Sequence, residues 1–204
     1  EFDSQPGYQK MNKENKLVPG LPSGFEDRWN NKLLLKKKLL KAIENNFIKF
    51  GAEALETPSF EISENIGSFL AEDEANPMSD VFSFQDGEKS ITLRYDLSSP
   101  LARFVAQNNQ ELPSIFKRYQ IQNVFRNEKA GNGRYREFMQ ADFDIVGNVD
   151  PAQANAELCN LISSTLLDCG LNRDQFIINV SNRKIVQGLI NELKISEEKQ
   201  VKVI

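Results

Sequence analysis

Phe125-Arg126-Asn127-Glu128, a short loop reaching Gly133, and Arg134-Tyr135-Arg136-Glu137-Phe138-Met139-Gln140 carry the densest chemistry in this chain. Side chains on a strand alternate between its two faces. With residues 119–128 and 136–146 as strands, Arg126 and Glu128 share a face of the first, and Phe138, Gln140, Asp142 and Asp144 share a face of the second. Met139, Ala141, Phe143 and Ile145 then form the opposite, core face. A planar guanidinium matches a phosphate or a carboxylate in bidentate fashion. Amide and carboxylate groups on the same sheet suit a small cationic or amine-bearing ligand. The plainer reading is a solvated strand face, where cross-strand arginine–glutamate pairs contribute under about 1 kcal/mol. Pattern alone leaves both open.

A second candidate is Leu93-Arg94-Tyr95-Asp96-Leu97-Ser98-Ser99-Pro100, a strand running into a helix. Ser98 or Ser99 could simply cap that helix. Alternatively the Asp96 carboxylate and the Ser98 hydroxyl meet a ligand's ammonium group.

The elements that must position these residues are legible from periodicity and turn residues. Leu33, Leu40, Ile43, Phe47 and Phe50 recur at helical steps between Asp27 and Phe50, and Gly51 ends the pattern. Ala52–Pro58 reads as a strand, halted or placed at an edge by Pro58. Residues 61–80 predict a short helix and a mobile loop. Val81–Phe84 and Ser90–Tyr95 are strand-like around an Asp86-Gly87 turn. Leu97–Gln107 is helical, with Pro100 tolerated in the first turn. Tyr119–Glu128 and Arg136–Val146 pair as a long antiparallel hairpin across Gly131-Asn132-Gly133. Residues 151–169 form an amphipathic helix stopped by Gly170, Phe176–Val180 a strand, 182–193 a helix, and Ser196 caps one more helix. Helices interrupting antiparallel strands make the class α+β.

The bulk numbers narrow the field. A chain of 204 residues with 40% hydrophobic residues can bury one sizeable core, so one domain is expected. The net charge of −4 means an RNA partner would be met by a local basic surface. Two cysteines and no histidine exclude a disulfide framework or a Cys/His metal cluster, and no metal ligands are identified among the side chains. A reduced, intracellular setting fits that inventory. No apolar run approaches the roughly 18 residues that cross a bilayer. Residues 1–16 read as an artificial leader and flexible lead-in, and 17–204 as the folded part.

At the arginine-bearing segment the resemblance becomes specific. Phe125–Glu128, the glycine loop and Arg134–Gln140 resemble motif 2 of class II aminoacyl-tRNA synthetases, in the form used by histidyl-tRNA synthetases. Arg94–Pro100 resembles that family's Arg-Tyr-Asp-Leu-Thr-x-Pro segment, with Ser98 in place of the usual threonine. Leu21-Pro22-Ser23-Gly24-Phe25-Glu26-Asp27, the long helix and Gly51–Pro58 resemble its N-terminal entry and motif 1. The likeness runs in order from about residue 17 to about 190. Val81–Asp86 and Phe125–Lys129 look closest to alphaproteobacterial members.

The resemblance implies an antiparallel sheet flanked by helices and a histidine–tRNA ligase. In that activity histidine's carboxylate attacks the α-phosphate of ATP, held with Mg2+, to give histidyl-adenylate, and the histidyl group passes to tRNA(His). It assigns Arg126 the catalytic bridge between the α-phosphate and the substrate carboxylate, Glu128 the ATP base and Arg134 the far phosphates. Histidine would be held by Asp96, Leu97, Ser98, Arg126, Gln140 and Asp144, the last a glutamate in many members. Lys129 would contact the tRNA acceptor end. Residues 28–58 would build a homodimer interface, and the protein would work in the cytoplasm. The family's second histidine-specific motif, motif 3 and anticodon-binding domain are not found before Ile204. Two other readings stay open. One is a non-catalytic relative, such as the synthetase-like regulatory subunit of ATP phosphoribosyltransferase. The other is an RNA-binding or interaction module unrelated to synthetases.

Overall fold

The computed structural model describes residues 18–66 and 81–194. Its elements, in chain order, are α1 (Asn30–Lys49), β1 (Glu53–Ala54), β2 (Phe60–Ile62) with a 3-10 turn (Ser63–Ile66), β3 (Ser83–Asp86), β4 (Lys89–Leu93), α2 (Ser98–Asn108), β5 (Ile115–Phe125), β6 (Glu137–Gly147), α3 (Pro151–Asp168) and α4 (Arg183–Glu192). The strands make two three-stranded sheets, ordered β1-β5-β6 and β2-β4-β3. The class is α+β, as expected.

The chain forms two compact units. The first comprises the described residues up to Leu35 together with Ala54–Pro113 and Tyr119–Asp142. In it, β4 pairs antiparallel with both β2 and β3, and Asp86 lies opposite Lys89. The turn residues are therefore Gly87-Glu88, one position later than the composition suggests. Gly87 has a φ of 60°, a left-handed conformation that a glycine adopts without strain. Leu97, Leu101, Val124, Val81 and Ile66 are buried in this unit.

The second unit comprises Lys36–Glu53, Ser114–Arg118 and the described residues from Phe143 onward. Phe47, Ala52, Phe116, Leu161 and Ile190 are buried apolar residues of this unit, and Phe47 packs its ring 5.6 Å from that of Phe143. Asp150 caps α3 by accepting from the Ala152 N–H at 2.9 Å, with Pro151 opening the helix. Asn182 does the same for α4 through Lys184 N–H.

Several expectations shift. The first helix begins at Asn30 rather than Asp27. The strand expected over residues 52–58 contracts to Glu53–Ala54. Beyond it a side chain stands in for a neighbouring strand, because Thr57 N–H donates to Gln122 Oε1 at 3.2 Å. The helix expected within 61–80 is the 3-10 turn at Ser63–Ile66, preceded by β2, which periodicity did not suggest. The rest of that segment, and the helix after Ser196, lie outside the described residues, as does the leader 1–16. The long hairpin starts four residues earlier, at Ile115. Phe176–Val180 is not a strand. Ile177 and Val180 are 85% and 73% exposed, and no strand among the described residues pairs with them. The face of β6 assigned to the core is only partly covered, since Ala141 is exposed.

Candidate functional site

The hairpin of β5 and β6 sets the geometry. At the tip end Arg126 N–H donates to Arg136 O at 2.9 Å, while at the open end a Cβ on Gly147 would lie 2.2 Å from Ser114 O. In the sheet β5 lies between β1 and β6. Phe125 N–H reaches across to Arg94 O at 3.0 Å, which joins the hairpin to the chain leaving β4. The Arg94-to-Ser99 junction and the start of the tip are thus brought side by side.

Arg94 is the fastener at that junction. It is 3% exposed and donates to Asn123 O and Thr57 O, each at 2.7 Å, and to Gln122 Oε1 at 2.8 Å. Burial pulls its pKa below the ordinary arginine value, against the opposing pull of Glu56 and Glu61. Gln120 adds to the same knot, donating to Thr57 Oγ1 at 2.8 Å.

Arg126 is held in another way. Its guanidinium carbon lies 4.4 Å from the centroid of the Tyr95 ring and 5.1 Å from that of Phe138, and its Nε–H reaches Tyr95 O at 3.4 Å. Two aromatic faces attract the cation without neutralising it. The Tyr95 hydroxyl donates to Glu128 Oε1 at 3.3 Å, and Glu128 Oε2 stands 4.0 Å from Arg134 Nη1. Arg126, Glu128, Gly133, Arg134, Tyr135 and Phe138 line an open hollow of about 380 Å³. A short anion with an aromatic or apolar group attached fits that lining of two arginines, one carboxylate and aromatic walls.

The other predicted positions sit as follows. Lys129 is exposed on the tip loop. Asp96 Oδ1 accepts from Ser99 N–H at 3.1 Å, so the cap comes from Asp96 and neither serine supplies it. Ser98 is exposed. Leu97 is fully buried, which leaves only its backbone to meet a ligand. Gln140 and Asp144 lie outside the lining of the hollow. Gln140 Nε2 donates to both oxygens of Asp142, at 2.9 and 3.0 Å, and its own Oε1 is buried without a hydrogen-bond partner among the described residues. Asp144 belongs to the second unit, where its carboxylate lies 2.8 Å from Nη2 of the fully buried Arg118.

Tyr95, Tyr135 and Phe138 were not foreseen as site residues. Their signal was available, in that Tyr95 and Tyr135 each adjoin a charged candidate and Phe138 lies two residues from Gln140. Nor was the strap that holds the tip from behind. Arg136 N–H donates to Gly24 O at 2.8 Å, Arg136 lies over the Phe82 ring at 4.6 Å, and Arg28 over Tyr135 at 5.7 Å. A Cβ on Gly24, whose φ is 82°, would come within 2.6 Å of Arg136 Cγ, so only glycine seats the strap this closely. In the same strap the hydrogen bond from Lys32 holds the Glu26 carboxyl below its ordinary range.

A sequence model described as histidyl-tRNA synthetase matches residues 24–204. The chain belongs to the histidyl-tRNA synthetase family. The histidine–tRNA ligase of Pelagibacter ubique (strain HTCC1062) is 78% identical over 194 residues, which cover 95% of this chain and 42% of that protein. The ligase of Rhodopseudomonas palustris (strain TIE-1) is 39% identical over 195 residues, 95% of this chain and 38% of its own length. The chain thus spans less than half the length of these curated relatives. Among solved structures, the histidyl-tRNA synthetase from Nostoc sp. PCC 7120 superposes with a TM-score of 0.74 at 27% identity, covering 88% of this chain and 41% of that one. An ATP phosphoribosyltransferase regulatory subunit/histidyl-tRNA synthetase from Bacillus halodurans C shares the fold, with a TM-score of 0.67 at 23% identity over 78% of this chain and 40% of its own. The class II synthetase fold and the family expected from the motif 2 hairpin are both correct.

Among the described residues, no helix is long and apolar enough to cross a membrane. No group of three or more His, Cys, Asp or Glu residues there could hold a metal ion.

Proposed function

We propose that this chain supplies the phosphate-gripping part of a histidine–tRNA ligase. The reaction joins histidine to ATP as histidyl-adenylate with release of pyrophosphate, and then passes the histidyl group to tRNA(His). The observation that carries the reading is Arg126, held between two aromatic rings with no carboxylate in ion-pair distance among the described residues. Such a cation keeps its N–H groups for an incoming anion.

In the adenylation step a histidine carboxylate oxygen bonds to the α-phosphorus, and the bond from that phosphorus to the bridging oxygen of pyrophosphate breaks. Negative charge gathers on the α-phosphate between them. Arg126 would bridge carboxylate and phosphate there, lowering the barrier by holding the reactants together and stabilising that charge. Arg134, 74% exposed at the tip, would meet the outer phosphates. Glu128 would accept from the amino group of the base, and the Phe138 ring offers it an apolar wall. Magnesium would arrive on the phosphates of ATP, with oxygens of the nucleotide and water as ligands. Asp96, the Leu97 backbone, Ser98, Gln140 and Asp144 would receive histidine, and Lys129 the acceptor end of tRNA. Leu34 and Leu35, 65% and 58% exposed on α1, leave apolar surface for a homodimer interface in the residue 28–58 region. A cytoplasmic setting goes with this activity.

Separate titrations of MgATP and histidine test the reading. The chain should bind MgATP, and Arg126→Ala should weaken that binding about 30-fold, the loss of a charge-assisted contact. The regulatory-subunit reading, which rests on fold alone, predicts histidine binding with no response to ATP. That outcome would replace the ligase reading.

A further inference from the structure

Arg126 and Glu128 are two residues apart and both line the hollow. Opposite charges at that spacing tend to find each other, and an Arg126–Glu128 pair would cancel the cation that an anionic ligand needs. They are kept apart. Tyr95 lies under Arg126, with its ring centroid 4.4 Å from the guanidinium carbon. The same residue's hydroxyl donates to Glu128 Oε1 at 3.3 Å, and its carbonyl accepts from Arg126 Nε–H at 3.4 Å. The second carboxylate oxygen of Glu128 faces Arg134 instead, at 4.0 Å. One side chain thus engages both members of the would-be pair through different chemistry, the cation by the ring face and the anion by the hydroxyl.

We propose that Tyr95 is a positioning residue that prevents Arg126 and Glu128 from neutralising each other, so that Arg126 stays available to phosphate. The proposal rests on the reading of the hollow as an anion site. It differs from that reading in naming a residue that touches no reacting atom. Removing only the hydroxyl should free Glu128 to swing onto Arg126 while the ring still supports the guanidinium.

The test uses inorganic pyrophosphate, an anion with no base for Glu128 to recognise, titrated calorimetrically into the whole chain. Tyr95→Phe should weaken binding about fivefold, the worth of one partly exposed ion pair formed in competition. Tyr95→Leu, which also removes the ring, should weaken it further, to about tenfold. The deciding variant is Tyr95→Phe combined with Glu128→Gln, in which the competing charge is gone. Binding should return to within about twofold of the starting chain. A Tyr95→Phe chain that binds pyrophosphate unchanged, or one that Glu128→Gln does not rescue, overturns the proposal. Should the unmodified chain bind no pyrophosphate, the anion-site reading is what fails, and the positioning claim is still decided without ligand. The Arg126 side-chain NMR signals must then shift on Tyr95→Phe and shift back on adding Glu128→Gln. Signals that stay in place overturn it.

Discussion

Arg94 and Arg126 are close neighbours, joined through the hydrogen bond from Phe125 N–H to Arg94 O, and they are treated in opposite ways. Around Arg94 the Nε and Nη1 groups end in acceptors, with Asn123 O, Thr57 O and Gln122 Oε1 within 2.8 Å. The side chain is buried, and its bonds tie the segment after β1, the end of β4 and the end of β5 into one knot. Around the Arg126 guanidinium stand two aromatic rings, and the hydrogen bond from its Nε to Tyr95 O is long, at 3.4 Å. Saturating a guanidinium with acceptors makes a fastener. Supporting it on π surfaces beside an open hollow leaves its hydrogen-bonding capacity unspent.

The sharpest way to break this contrast is to truncate each arginine and compare stability. Arg94→Met should cost about 3 kcal/mol in urea unfolding followed by circular dichroism, because Thr57 O and Asn123 O lose a charged donor in a buried setting. Next comes the ion pair linking β2 to α2. Arg103 meets Glu61 through two bonds, Nε to Oε2 at 2.7 Å and Nη2 to Oε1 at 2.8 Å, and that contact raises the Arg103 pKa above its usual value. Glu61→Gln should cost about 2 kcal/mol by the same measurement, as one buried partner loses its charge. Arg126→Ala should change stability least, by no more than about 1 kcal/mol, the worth of its ring contacts. An Arg126→Ala chain that unfolds as readily as Arg94→Met would show both arginines to be structural, and the contrast would disappear.

Much of the frame could be read from the residues alone. Helical spacing located α1, α3 and α4, and glycine-rich turns located both hairpins, because turn chemistry and apolar periodicity act locally. The failures share a cause of the opposite kind. Phe176–Val180 alternates like a strand, but a strand exists only when a partner completes its ladder, and the sequence of one segment cannot announce its partner. Gln120 and Arg94 are buried although alternation gives a polar side chain no partner in advance, and half-buried Gln122 joins them. Their burial is acceptable only because they satisfy one another, a property of the folded arrangement.

The site divides in the same way. Arg126, Glu128 and Arg134 were legible through their motif and do line one hollow. Strand alternation also placed Gln140 and Asp144 on the face of Phe138, yet alternation gives a face and not a partner. Their side chains turn to Asp142 and to Arg118. The aromatic supports were passed over because charge drew attention to their neighbours.

The tip of the hairpin is closed by its own backbone. Gly131 N–H donates to Arg134 O at 3.2 Å, and Arg134 N–H returns a bond to Gly131 O at 3.0 Å. The disorder that a free loop would surrender on meeting a ligand is therefore given up when the chain folds. Any ligand meeting the tip would find the backbone already set, and how long it stayed would reflect the contacts made there more than the ordering of the arm that makes them.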